Sequence, residues 1–225
     1  MVYCMIGKIA EIFKSIQGEG PYQGVEQVFV RLYGCNLSCD FCDTKLDNYQ
    51  EKASDDVLKE VLNFGEVHSI AITGGEPLMQ ADFVRELSQK LKANNRKVYL
   101  ETNGVLPDAL KKVIDFVDIV SMDFKLPSAA GGKERWCEHG EFLKIAAQKE
   151  VFVKVVITPV TQVGDIFETI KLIKEFKRDV LLVLQPQYPH EEVLKTKLMF
   201  YKMLCQLHGL NVKILSQLHK KIGIR

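Results

Sequence analysis

Val67-His68-Ser69-Ile70-Ala71-Ile72-Thr73-Gly74-Gly75-Glu76-Pro77 decides the fold of this 225-residue chain. Its first part, Val67–Thr73, is a short apolar run that a Gly-Gly pair and a proline cut off, as expected of a buried strand entering a turn. Helical spacing follows, with Leu87 and Leu91 on one face, and then a second apolar run, Lys97–Glu101. The unit is strand, turn, helix, strand. Comparable runs occur at Val28–Leu32, Phe116–Phe124, Val151–Thr158, Val180–Gln185 and Asn211–Leu215. Several are apolar at consecutive positions, the mark of strands covered on both faces. Helical spacing lies between most of them. Val57, Leu58, Val61 and Leu62 share a face after Ser54, a candidate N-cap, and Pro107 suits the first position of a helix running through Ile114. Ile166, Ile170 and Ile173 repeat the pattern, as do Leu194, Leu198 and Met203 in the last helix. About six such repeats imply parallel strands joined by right-handed crossovers. A complete eight-unit barrel takes about 250 residues, so an α/β fold with an incomplete TIM-type barrel of about six parallel strands is expected, ahead of an open doubly wound sheet. No composition break or fixed-length repeat divides the chain, and residues 1–225 are expected to form a single domain.

Composition narrows the function. With 47% hydrophobic and 26% charged residues the chain is neither disordered nor fibrous. Thirty Lys plus Arg against 29 Asp plus Glu excludes a broad basic surface for nucleic acid. No apolar stretch approaches the ~18 residues that would cross a bilayer. The first eight residues lack the basic and apolar regions of a secretory signal. A cytoplasmic location is expected, so the six cysteines read as thiols or metal ligands before disulfides.

Parallel α/β folds gather ligands at the carboxyl ends of their strands. After successive expected strands come Gly34-Cys35, then Gly74-Gly75-Glu76-Pro77, then Glu101 with Thr102-Asn103-Gly104, then Asp123 and Lys125, Thr158, Gln185, and Gln217 with His219. Groups capable of chemistry are concentrated on one rim, which favours an enzyme.

The strongest local signal is Cys35-Asn36-Leu37-Ser38-Cys39-Asp40-Phe41-Cys42, spaced C-x3-C-x2-C. Three thiolates on one loop can hold three irons of an iron–sulfur cube and leave the fourth iron open for a ligand. Gly34 permits the turn into the loop, and Phe41 would shield the cluster. A structural zinc site and chance clustering are the alternatives; zinc sites favour a second Cys or His pair, and His68 and His139 are single and distant. Cys4 and Cys205 read as packing residues, and Cys137, near Trp136 and His139, as a weak metal candidate.

The triplet resembles the signature of the radical S-adenosylmethionine superfamily. The resemblance implies a [4Fe-4S] cluster on Cys35, Cys39 and Cys42, whose open iron chelates S-adenosylmethionine and whose electron yields a 5′-deoxyadenosyl radical. The hard chemistry then belongs to the cofactors, and no side chain is assigned as catalytic. Thr73-Gly74-Gly75-Glu76-Pro77 is similar to the superfamily's GGEP segment, which implies cofactor contacts from Gly74, Gly75 and Glu76.

Within the superfamily, Ser15-Ile16-Gln17-Gly18-Glu19-Gly20 and Phe29-Val30-Arg31-Leu32-Tyr33-Gly34-Cys35 resemble the 7-carboxy-7-deazaguanine synthase family of queuosine biosynthesis. That likeness implies a lyase converting 6-carboxy-5,6,7,8-tetrahydropterin to 7-carboxy-7-deazaguanine by radical ring contraction with loss of ammonia. It implies pterin contacts from Ile16, Gln17, Gly18, Glu19, Arg31, Thr73, His219 and Arg225, and a magnesium ion at Thr44 following Cys42-Asp43. Asn103 of the ETNG-like segment, Asp123, Lys125 and Gln185 would complete the cofactor site. Asp123-Phe124 replaces the first two positions of the family's frequent Ser-Pro-Lys, and Lys125 matches the third. An electron donor such as flavodoxin or ferredoxin and a homodimer are the implied partners, with no nucleic acid and no membrane. Two other functions are compatible with part of the pattern. A glycyl-radical activase would share the cluster but not the set Gln17, Glu19, Arg31 and Thr44, and a zinc-stabilised binding module would share only the cysteines.

Overall fold

The computed structural model describes residues 4–42, 44, 46–175 and 179–224. Its frame is one nine-stranded sheet. The chain opens with β1 (Ile6–Ile16), β2 (Glu26–Leu32) and β3 (Gln50–Ala53), and then alternates. Helix α1 (Ser54–Asn63) leads to β4 (Ser69–Gly74), α2 (Ala81–Ala93) to β5 (Val98–Thr102), and α3 (Pro107–Val113) to β6 (Ile119–Phe124). Helix α4 (Trp136–Ala146) leads to β7 (Glu150–Ile157), α5 (Val163–Glu175) to β8 (Leu181–Pro186), and α6 (Glu191–Leu207) to β9 (Val212–Ile214), before α7 (Leu218–Ile222). The spatial order is β3-β1-β2-β4-β5-β6-β7-β8-β9.

From β2 through β9 every described pairing is parallel, and each strand lies beside its sequence neighbour in that series. Right-handed crossovers that always step in the same direction place their helices on one face. A doubly wound sheet needs a reversal of strand order to cover its second face, and this series has none. The expected incomplete barrel is therefore the observed architecture. The sheet remains open, with β3 and β9 at opposite ends of the order. Two strands were not anticipated. β1 and β3 pair antiparallel to one another, and β1 pairs antiparallel to β2. The apolar alternation of β1 is broken by a register shift between Ile9 and Glu11, which disrupts the period of two that marks a strand.

Period two then divides each parallel strand between two environments. Val28, Val30 and Leu32 of β2, Ile70 and Ile72 of β4, Leu100 of β5, Met122 of β6 and Val155 of β7 belong to the large core shared with the helices. The alternate positions Phe29, Ala71, Tyr99, Ile119, Phe152 and Val183 form a separate apolar cluster, one residue from each of six neighbouring strands. Large and smaller side chains interleave around that floor, with Phe13 stacked on Phe29 at 5.1 Å between centroids. Two residues further along these strands stand Arg31, Thr73, Glu101, Ser121, Lys154 and Gln185. The alternation that seals the floor thus also places a polar ring above it.

Several local expectations change. Ser54 is not an N-cap: Ala53 holds that position, and Ser54 lies in the first turn, its hydroxyl bonded to Glu86 at 2.6 Å and Lys90 at 2.8 Å. Cys4 joins the same polar cluster, within 3.0 Å of Ser54, and is not an apolar packing residue, whereas Cys205 is fully buried in the core. Met203 is exposed; nine residues beyond Leu194 it lies half a turn out of phase, and Tyr201 and Cys205 complete the buried face. Pro107 does begin α3. Among the described residues, no helix is long and apolar enough to cross a membrane.

Candidate active site

A cavity of about 830 Å³ opens above the polar ring, a volume suited to enclosing small ligands. One wall is the loop after β2. Cys35, Cys39 and Cys42 all line the cavity with Phe41 and Thr44. Gly34 adopts φ +97°, which makes the turn into this loop. The loop is seated by the glycine pair after β4: a Cβ on Gly74 would come within 2.2 Å of the Leu32 carbonyl oxygen, and one on Gly75 within 2.2 Å of the Gly34 carbonyl oxygen. The two glycines therefore bring β4 against the base of the cysteine loop.

Burial pushes the Cys35 and Cys39 thiols up, with Lys125 pulling both the other way. Metal uptake would displace these protons. Among the described residues, no three His, Cys, Asp or Glu side chains converge as the shell of a single ion would require. Three thiols spaced along one loop suit a multi-iron cluster, in which each sulfur takes a different iron. Cys137, the weak metal candidate, is exposed and joins no such group.

The opposite wall is held by buried polar bonds. Gln17 is 2% exposed, and its amide nitrogen donates to Gln27 at 3.0 Å and to Glu101 at 2.8 Å. Its side-chain oxygen accepts from the Glu19 amide at 2.9 Å. With its amide so engaged, Gln17 shapes the wall by fixing Glu19 and Glu101. Thr73 donates to the other oxygen of Glu101 at 2.7 Å. Arg31 is gripped through Nε by Glu11 at 2.6 Å. Glu19 accepts from Lys154 and, at 2.7 Å, from Gln217. Burial works to raise its pKa, but Lys154, Gln217 and the charge of His219 bring it below the ordinary glutamate value. His219 packs onto the same turn. A Cβ on Gly18 would lie 2.0 Å from its ring nitrogen, so only glycine lets α7 close over this side.

Lys154 also faces Asp123 at 3.3 Å, and Asp123 Oδ2 accepts from Lys125 at 2.9 Å. Two buried oxygens in this lining, Asp123 Oδ1 and Gln185 Oε1, have no hydrogen-bond partner among the described residues. Buried acceptors are rarely left so, and both mark places where a donor from beyond the described residues would complete the bonding. Asn103 donates from its side-chain nitrogen to Asn36 of the cysteine loop at 2.8 Å, joining the two walls.

The cavity thus brings together Cys35, Cys39, Cys42, Thr44, Ile16, Gln17, Gly18, Glu19, Arg31, Thr73, Gly74, Gly75, Asn103, Asp123, Lys125, Gln185 and His219. It does not include Glu76. That residue is 0% exposed, and its carboxyl accepts from the amides of Leu78 and Asn103 and from the Thr102 hydroxyl, so it fastens the ends of β4 and β5 behind the wall. Thr158 is likewise turned inward, its hydroxyl 3.2 Å from that of Thr161; β7 offers Lys154 and Val156 to the cavity. Arg225 and Asp43 lie outside the described residues. Glu11 and Lys154 are lining groups that motif matching misses, and Glu101, the first residue of the ETNG-like segment, has a task that the motif did not assign to it. Their signal is positional: Glu101 and Lys154 each stand two residues after a floor aromatic, Tyr99 and Phe152. His139, expected to be a lone histidine, is a brace. Its Nε2 accepts from the Lys125 amide and its Nδ1 donates to the Gly104 carbonyl, both at 3.0 Å, and burial lowers its pKa to about 4.

Comparison with known proteins bears on the family and the fold. The family model of the radical SAM superfamily matches residues 29–199. The chain is 34% identical to the 7-carboxy-7-deazaguanine synthase of Geobacter sulfurreducens, over 96% of this chain and 97% of that one. It is 30% identical to the synthase of the same name from Archaeoglobus fulgidus, over 98% and 100%. In fold it is similar to the crystal structure of QueE from Escherichia coli, with a TM-score of 0.66, 20% identity and 93% of both chains covered. A structure of TYW1 with a lysine-pyruvate adduct shares the fold at a TM-score of 0.57 and 18% identity, covering 80% of this chain and 75% of that one.

Proposed function

Because the chain belongs to the radical SAM superfamily, and within it to the 7-carboxy-7-deazaguanine synthase family, we propose that it converts 6-carboxy-5,6,7,8-tetrahydropterin to 7-carboxy-7-deazaguanine and ammonia. The observation that carries this reading is that the three-thiol loop and the ring of Glu19, Arg31, Thr73 and Glu101 line one cavity. The family's [4Fe-4S] cluster, bound with S-adenosylmethionine, supplies a 5′-deoxyadenosyl radical able to take hydrogen from an unactivated carbon. The ring contraction itself is a rearrangement that expels ammonia with no net oxidation, so the protein's part is to hold, orient and exclude water.

Cys35, Cys39 and Cys42 would hold three irons. The unpartnered oxygens of Asp123 and Gln185 would accept from the cofactor, beside Gly74, Gly75, Asn103 and Lys125. A guanidinium forks onto a carboxylate. Arg31, steadied at Nε by Glu11, is placed to take the pterin carboxylate with its terminal nitrogens. Glu19, ionised, accepts from the donors on the pterin edge, and Ile16, Gly18, Thr73 and His219 line the same pocket. The hydroxyl of Thr44 supports a magnesium site, since oxygen donors suit that hard cation. Glu76 serves this site from behind, through Asn103.

The proposal extends to residues 1–225 acting as one radical SAM domain in the cytoplasm, to a flavodoxin- or ferredoxin-like donor, and to a homodimer. Anaerobic reconstitution with iron and sulfide, followed by incubation with S-adenosylmethionine, reductant and carboxytetrahydropterin, should give the deazaguanine acid. Cofactor cleavage without that product would overturn the substrate assignment. Thr44→Ala should raise the magnesium concentration needed for half-maximal rate while leaving iron content unchanged.

A further inference from the structure

We infer that Lys154 is a positioning residue that serves the pterin and cofactor subsites together, by holding Glu19 on one side and Asp123 on the other. This inference rests on the proposed function for its pterin arm, and on superfamily membership alone for its cofactor arm.

Lys154 comes from the middle of β7, on the face that carries Phe152 in the floor, and its side chain is only 13% exposed. Its ammonium donates to Glu19 and lies 3.3 Å from Asp123. The two carboxylates belong to separate parts of the chain, the turn after β1 and the end of β6. On Glu19 one oxygen is fixed by Lys154 and the other by Gln217. On Asp123, Oδ2 faces both Lys125 and Lys154, which leaves Oδ1 as the unpartnered buried acceptor. Lys154 is thus the one ammonium that bears on both carboxylates, with Lys125 beside it on Asp123 and Gln217 on Glu19.

The charges explain why a cation is required there. Glu19, Lys154, Asp123 and Lys125 alternate in sign and sum to zero, with Glu101 also within electrostatic reach of Lys154. Without Lys154, the remaining lysine of the group, Lys125, pairs with Asp123, and among the described residues it makes no ion pair with Glu19. A buried carboxylate deprived of its partner reorients or takes up a proton. Either change alters the acceptor geometry met by a ligand.

The test is equilibrium binding to the reconstituted, unreduced holoenzyme, in which no turnover occurs. Lys154→Met should weaken both S-adenosylmethionine and carboxytetrahydropterin by at least about thirtyfold, the scale expected when one partner of a buried charge pair is removed. Iron content and the visible cluster spectrum should match the parent. Lys154→Arg, which restores the charge, should recover most of both affinities. Binding of both ligands by Lys154→Met within about twofold of the parent would overturn the inference, as would Lys154→Arg binding no better than Lys154→Met. If Lys154→Met does not fold, the charge-balanced double variant Glu19→Gln/Lys154→Gln is measured for S-adenosylmethionine alone. Unchanged affinity there also overturns it. A parent protein that binds S-adenosylmethionine but not the pterin contradicts the proposed function, and the cofactor arm still decides the role of Lys154.

Discussion

The two walls of the cavity are built on opposite principles. The cysteine loop is local: three thiols within eight residues, with Cys35 and Cys42 exposed. The facing wall is assembled from distant parts of the chain. Glu19 meets Lys154 across 135 positions and Gln217 across 198. The loop needs only a turn and a seat against two glycines. The far wall exists only once the whole sheet has formed. Chemistry that a cofactor brings can thus be held by a short motif, while recognition of a particular substrate requires the fold.

The sharpest way to break this contrast is Cys39→Ala. It should abolish the cluster and all product formation, because each of the three thiols would hold its own iron. The helical signal and the urea midpoint of the iron-free protein should stay close to those of the iron-free parent. A large loss of stability in that comparison would mean that the loop supports the sheet, and the two walls would not be separable.

The division also governs what was legible in the sequence. Parallel strands with crossover helices were readable because each carries its own periodicity, and Cys35, Cys39 and Cys42 because ligand spacing is local. Lys154 was not, since a lysine inside an apolar run looks like the solvent face of a strand until the position of Phe152 shows which face turns inward. Glu76 misled in the opposite way. It belongs to a recognisable segment, yet its carboxyl is used up by Leu78, Thr102 and Asn103. Strand β1 was hidden by its register shift, and β3 by being short and polar.

Behind the walls, two buried groups offer a test with opposing signs. Burial lifts Glu76 to about 7 in the folded protein, above its ordinary 4.5. The folded state therefore binds the extra proton, and the stability this contributes is lost as pH rises from about 4.5 through about 7. Burial lowers His139 from 6.5 to about 4. Here the unfolded state binds the extra proton, and stability is lost as pH falls from about 6.5 through about 4. Each shift corresponds to roughly 3 kcal/mol at about 1.4 kcal/mol per pH unit. The two slopes largely cancel in the parent. Urea midpoints of Glu76→Gln should therefore rise between pH 4 and 6.5, and those of His139→Gln should fall between pH 4.5 and 7. Parallel curves for parent and both variants would show that neither group titrates in these windows.

The smallest effect is expected from Glu11→Gln, and it bears most directly on how the far wall recognises its ligand. Glu11 accepts from Arg31 Nε at 2.6 Å, with the two side chains 26% and 22% exposed, so solvent screens the pair. The arginine remains charged in the variant and keeps its place over the Phe13 ring, 5.7 Å from the centroid. What it loses is a fixed orientation, which acts on binding before any bond changes. KM for the pterin should rise by about threefold to tenfold, corresponding to about 0.7–1.4 kcal/mol, with kcat unaltered. A fall in kcat at constant KM would mean instead that the Glu11–Arg31 pair acts on the reacting state, and that the far wall does more than recognise its ligand.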